Sequence, residues 1–256
     1  MKRELRVPFL IVNPKAYIYG EESLELAKVC DQLAEEYDID IIFTGQHVDL
    51  KQIAQETKNL IVTTQHMDGL VPGRGMGFIL PDALKAAGVD GVILNHAEHP
   101  LSMCDLDKTI KRASELDMIT IVCSDSVEQT RAVAELGPDV MICEPTSLIG
   151  TGSTSDDAYI EATNEAVKSV NPDIKIIQAA GVSTGDDVYR VVVGGAHGSG
   201  GTSGILNAPS RKGKIEEMLQ ALVKAKKKYN IFHMISVWLL KCLTLVMQKM
   251  DVMSTE

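Results

Sequence analysis

The chain has 256 residues, 45% hydrophobic and 23% charged, a globular balance that excludes a disordered polymer, a collagen and a disulfide miniprotein. Thirty-five acidic residues against 25 basic ones leave a formal charge of −10, a poor match for a phosphate backbone, so nucleic acid is set aside as a partner. The five cysteines, at 30, 104, 123, 143 and 242, form no Cys-x-x-Cys. Neither a disulfide framework nor a zinc knuckle is expected, and a cytoplasmic location fits best.

The first apolar run, Phe9–Val12, is too short for a signal peptide. It reads instead as a strand over Phe9–Asn13, followed by a helical pattern over Glu21–Tyr37. Strands then fall at Asp40–Thr44, Leu60–Thr64 and Gly91–Asn95, with a helical stretch at Ala83–Ala87. Further along come a helix at Leu106–Leu116, a strand at Ile119–Cys123, a helix at Val127–Leu136 and a strand at Val140–Cys143. A helix at Asp156–Val170 and a strand at Lys175–Ala179 complete the seventh unit. These strands are apolar on consecutive residues, as expected where both faces are buried, and their alternation with helices points to a parallel sheet. An eighth strand would close a barrel. It must fall near Ser199–Ser203, in a glycine-loaded stretch, before a last helix over Lys214–Tyr229.

The expected organisation is one α/β barrel domain over 1–230 and an apolar helical tail over 231–256. In the tail, apolar residues recur at helical spacing from Ile231 to Met247, interrupted by His233 and Lys241. The length is at the lower limit for a membrane span. Packing on its own domain is the favoured reading, a subunit contact the next and membrane association the last.

In a barrel of this kind the chemistry sits at the C-terminal ends of the strands. Those positions carry Asn13 and Lys15, then His47, then Gln65, His66 and Asp68, then Asn95, His96 and Glu98. Later ends carry Glu144, Gly181 and Ser183, and Thr202 and Ser203. A carboxylate can remove a proton beside a carbonyl, a neutral histidine can hydrogen-bond to the developing oxyanion, and a lysine can supply fixed positive charge. Glycine-rich turns present backbone N–H groups to a phosphate. These groups suffice for proton transfer between adjacent carbons of a sugar phosphate.

The motifs resemble those of the triosephosphate isomerase family, in its shorter archaeal branch. Asn13-Pro14-Lys15 is similar to the family's Asn-x-Lys, and Asn95-His96-Ala97-Glu98 to its Asn-His-Ser-Glu. The segment from Glu144-Pro145 to Ile149-Gly150-Thr151-Gly152 is similar to its base and mobile loop. Ala180-Gly181-Val182-Ser183 and Thr202-Ser203-Gly204 are similar to its two late phosphate-contacting turns. The likeness covers about residues 7 to 229.

The resemblance implies a TIM (β/α)8 barrel and interconversion of glyceraldehyde 3-phosphate and dihydroxyacetone phosphate, a step of glycolysis and gluconeogenesis. It also implies roles. Glu144 is the base, His96 the electrophile, and Lys15 and Asn13 contact the substrate. Ile149, Gly181, Thr202 and Ser203 hold the phosphate. The reaction calls for no cofactor and no metal, and Lys15 would repel a cation at the rim. The family assembles as dimers or tetramers, so a homodimer or homotetramer is expected.

Three departures bear on activity. Ala97 replaces the family's serine, Met76 stands where the third loop usually carries threonine, and the eighth strand is small where bulky aliphatics are usual. The last is expected to leave more room near the phosphate or sugar end. A relative acting on a tetrose or pentose phosphate is therefore the first alternative, and a non-catalytic barrel scaffold the second. His66 and Asp68 are read as structural, Glu98 as a buried or interface carboxylate paired with a base, and Cys123 and Cys143 as packed core thiols.

Overall fold

Every residue of the first six strands is buried, which is why their sequences show consecutive apolar residues and no alternation. A computed structural model of the chain describes residues 2–228. Its strands are β1 (Phe9–Val12), β2 (Ile41–Gly45), β3 (Ile61–Thr64), β4 (Gly91–Leu94), β5 (Ile119–Ser124), β6 (Val140–Cys143), β7 (Lys175–Gln178) and β8 (Gly198–Gly201). They pair in sequence order, all parallel, and β8 closes on β1. The helices are α1 (Gly20–Tyr37), α2 (Leu50–Glu56), α3 (Pro81–Ala86), α4 (Met103–Glu115), α5 (Val127–Ala134), α6 (Asp157–Val170), α7 (Gly185–Val193) and α8 (Ser203–Leu206). A last helix runs over 211–228.

The two faces of each of the first seven strands feed two cores. Phe9 and Ile11 of β1 point into the barrel, where they meet Ile42, Ile61, Ile93 and Ile121 from other strands. Leu10 and Val12 point outward into the layer shared with the helices, including Leu24 and Leu33 of α1 and Leu219 and Leu222 of the last helix. Side-chain hydroxyls or carboxylates cap five helix starts. Ser102, Ser126, Asp156 and Ser210 accept N–H groups of α4, α5, α6 and the last helix, and Thr184 with Asp187 forms a reciprocal box on α7.

The eighth strand bears on the expectation of extra room. Its register sets Gly198 opposite Phe9 and Gly200 opposite Ile11. A Cβ on Gly198 would lie 2.8 Å from the Phe9 ring, and one on Gly200 would overlap the Ile11 carbonyl oxygen. A Cβ on Gly201 would lie 2.9 Å from the Val182 carbonyl oxygen. The places of the missing Gly198 and Gly200 side chains are taken by β1, so these glycines let β1 and β8 approach and leave no void between the strands, while Gly200 and Gly201 border the site cavity. The strand itself starts one residue before the expected region and ends at Gly201.

Helices α2, α7 and α8 were not among the expected elements, and Asn13 and Asn95 lie just past their strands. Asn95 adopts φ 57°, which no strand accommodates. The expected tail at 231–256 lies outside the described residues.

Candidate active site

The strand ends bring all eight expected site residues to one cavity of about 220 Å³. Asn13, Lys15, His96, Glu144, Ile149, Gly181, Thr202 and Ser203 line it, together with Tyr17, Glu98 and a floor that includes Ile11, Ile93, Ile142 and Ile177. Asn13 and Lys15 follow β1, His96 follows β4, Glu144 follows β6, and Ile149 lies on the loop between β6 and α6. Gly181 follows β7, and Thr202 and Ser203 follow β8.

Lys15 is held in a conformation that a lysine rarely adopts, φ 51°. Three bonds impose it. Lys15 N–H donates to Asn13 Oδ1 at 2.9 Å, and the Lys15 carbonyl accepts from Gln65 Nε2 at 2.7 Å and Gln46 Nε2 at 3.0 Å. The Thr202 hydroxyl donates to the Asn13 carbonyl at 2.7 Å, tying β8 to the same turn. Asn13 thus clamps backbone as well as facing the cavity. The Lys15 ammonium pairs with Glu98 at 2.6 Å. Glu98 is paired with a base as expected, but its side chain is 61% exposed and not buried.

His96 is placed with its tautomer assigned. The Glu98 N–H donates to His96 Nδ1 at 3.1 Å, so Nδ1 carries the lone pair and Nε2 carries the proton. Burial, helped by the positive charge of Lys15, lowers the imidazole pKa below its usual value, with Glu98 opposing. The ring is therefore a neutral donor at physiological pH. Its loop is stapled by Asn95, whose Nδ2 donates to the Cys123 carbonyl at 3.0 Å and whose Oδ1 accepts Leu101 N–H at 3.0 Å.

Glu144 lies across from it, Oε1 to His96 Nε2 3.6 Å, beyond hydrogen-bond range. Burial pushes its carboxyl up to about 6; Lys15 pulls it back and Glu98 pushes it further. At neutral pH it is ionised yet basic, as a proton-abstracting group requires. Burial also pushes Glu98 up, but the Lys15 bond and charge, with His96, outweigh it and leave it below the usual range. A basic carboxylate, a neutral N–H donor and a cation thus converge on one small space.

A model of the family described as triosephosphate isomerase matches residues 8–225. The chain belongs to the triosephosphate isomerase family. A triosephosphate isomerase of Methanothermus fervidus is 40% identical over 83% of this chain and 97% of its own length. One from Methanocaldococcus jannaschii is 36% identical over 84% and 98% of the two chains. A relative from Sulfolobus acidocaldarius, of the same name, is 32% identical over 88% and 99%.

The triosephosphate isomerase match spans the barrel, so the rim residues are compared within one fold. Gln46 and Gln65 also buttress Lys15, a role that the motifs did not disclose; their one signal was position directly beyond β2 and β3. His66 is buried, 3.4 Å from Asp68 and stacked on His99 at 4.1 Å, and it does not line the cavity. His47 instead contacts the His66 carbonyl at 2.8 Å. Cys123 and Cys143 are buried, and burial raises both thiols. Among the described residues no helix is long and apolar enough to cross a membrane.

Proposed function

We propose that this chain interconverts D-glyceraldehyde 3-phosphate and dihydroxyacetone phosphate through an enediolate, as the family does in glycolysis and gluconeogenesis. The observation that carries the reading is the facing pair: a buried Glu144 with a raised pKa and a neutral His96 whose proton is on Nε2. A raised carboxylate with a lowered histidine is the pairing that the handling of both proton and oxyanion needs, and it is the established pairing of the triosephosphate isomerase family.

Glu144 takes a proton from one carbon and returns it to the next. His96 donates from Nε2 to the carbonyl oxygen as it gains charge. Lys15, pinned by Gln65 and Gln46, stabilises the same oxyanion, and Asn13 contacts substrate. Ile149, Gly181, Thr202 and Ser203 hold the phosphate while the loop closes and excludes water. The proton transfers use these side chains alone and call on no cofactor. The match to the triosephosphate isomerase family favours the triose pair over a tetrose or pentose phosphate.

Exposed Tyr17, Tyr19, Val48, Val71, Met76 and Phe78 follow β1, β2 and β3 on one side. Apolar groups so clustered favour a homodimer or homotetramer, and the free cysteines among the described residues favour a cytoplasmic location. Residues 231–256 are proposed as an apolar tail that follows the barrel domain and packs on it.

A coupled assay with both triose phosphates, run on wild type and Glu144→Gln, tests the function. Fast turnover is expected, with a loss in the variant worth on the order of 4 kcal/mol or more of transition-state stabilisation. A folded wild type without turnover would overturn the reading.

A further inference from the structure

The segment between β6 and α6 is bonded mainly to itself. Leu148 N–H donates to the Pro145 carbonyl, Ile149 N–H to the Thr146 carbonyl and Thr151 N–H to the Leu148 carbonyl. A lid of this kind moves as a unit, and its motion is taken up at its ends. Both ends are tied to groups outside it. At the far end Arg190 of α7 donates to Thr154 Oγ1 at 2.7 Å and to the Ser155 carbonyl at 2.9 Å.

The near end matters more, because it starts at Glu144. Glu144 N–H donates to the Ser124 carbonyl at 3.0 Å. Two residues on, Thr146 N–H donates to the Asp125 carboxylate at 2.8 Å. Consecutive residues at the end of β5 therefore hold the base and the first turn of the lid. Asp125 is itself fixed. Its N–H donates to Gln129 Oε1 at 3.3 Å, and its carbonyl accepts the Tyr159 hydroxyl from α6. Burial raises the Tyr159 phenol, so it remains a donor through the physiological range. A fixed anion accepting a backbone N–H makes a charge-assisted bond, stronger than a neutral one.

We infer that Asp125 is a positioning residue for the isomerisation, fixing the hinge at Thr146 and with it the approach of Glu144 and the closure of the lid. The inference rests on the reading of Glu144 as the base. A carboxylate that merely capped the short turn at Thr146–Leu148 would affect stability alone. One that governs closure also affects what the enediolate becomes. In an open site the enediolate can expel its phosphate: the C–O bond breaks, the electron pair leaves with inorganic phosphate, and the remaining enol becomes methylglyoxal. The ratio of phosphate released to isomer formed thus reads lid closure directly.

The test compares wild type with Asp125→Ala, Asp125→Asn and Thr146→Pro. The asparagine keeps an acceptor in place. The proline removes the donor instead, and the preceding Pro145, at φ −63° and ψ 123°, already has the backbone that a following proline requires. Steady-state kinetics and phosphate release are measured with dihydroxyacetone phosphate, and hydrogen exchange across 144–154 in the substrate-free proteins. Asp125→Ala and Thr146→Pro should each lower kcat about tenfold at a KM within threefold of wild type, and raise phosphate release per turnover about tenfold. In Asp125→Ala the Thr146 amide should exchange at least tenfold faster, and Asp125→Asn should return each value to within threefold.

An unchanged partition ratio in both folded variants overturns the inference, even if stability falls. Unchanged exchange of the Thr146 amide in Asp125→Ala overturns it as well. A wild type that turns over neither triose phosphate sinks the functional reading, and with it any catalytic part for Asp125. That failure is told apart from the others because it appears before any variant is compared.

Discussion

Replacing Glu144 by glutamine should make the protein more stable while destroying its activity. The side chain is 13% exposed, and burial lifts its carboxyl from 4.5 to about 6. A carboxyl whose pKa is raised on folding binds its proton more tightly in the folded state, so its ionised form works against folding above that pKa. The rise from 4.5 to about 6, at about 1.36 kcal/mol per pH unit, puts that cost at roughly 2 kcal/mol at pH 8. Glutamine is nearly isosteric and uncharged, so the variant should gain about that amount, or roughly 4–8 °C in thermal midpoint for a domain of this size. The gain should shrink as pH falls from 6 towards 4.5, where wild-type Glu144 is protonated in the folded state, and leave about half a kcal/mol near pH 4.5. Denaturant titrations of both proteins at pH 8, 5.5 and 4.5 measure it. A variant no more stable than wild type at pH 8, or a gain undiminished at pH 4.5, refutes the reasoning.

With Glu144 as the base, kcat/KM should halve near pH 6 and drop to about a tenth at pH 5, where an ordinary glutamate would still be about three-quarters ionised. A pH–rate profile with its acid limb near 4.5 would remove Glu144 as the group observed. Substituting alanine for Gln65 and Gln46 together removes two of the three bonds that hold Lys15 at φ 51°. Steady-state kinetics should show kcat/KM lower by about tenfold to a hundredfold, the range in which backbone strain of about 1–3 kcal/mol is no longer offset. Gly200→Ala forces a methyl group against the Ile11 carbonyl and should cost about 1–3 kcal/mol or more in denaturant titration. A neutral result there would mean that β1 and β8 are not as closely apposed as described.

Much of the fold was readable along the chain because each strand is buried on both faces. Val140–Cys143 and Ile119–Ser124 carry little but apolar and β-branched residues, and their limits fell within one residue of expectation. Helix α7 carries a start signal in Thr184 and Asp187, three apart, but its apolar face spans only nine residues. Helix α2, with seven residues, is too short for its periodicity to stand out. Strand β8 is the opposite case. Its composition argues against a strand, and only the register with Phe9 and Ile11 explains why glycine is required there.

For the site, the residue types at the rim were legible because a strand end is a local position that a local pattern can find. Lys15, His96 and Glu144 follow different strands, and a parallel barrel necessarily collects them on one side. What they do to one another was not legible. The tautomer of His96 depends on one N–H from Glu98, and the conformation of Lys15 on two glutamines that arrive from other strands. The basicity of Glu144 depends on an isoleucine floor that no single segment contributes. Sequence alone determined the order of the strands, most of the helices between them and which chemical groups stand at the strand ends, since these follow from neighbouring residues. Tertiary structure alone decided proton positions, charge states and available space, since each is set by distances between residues remote in the chain.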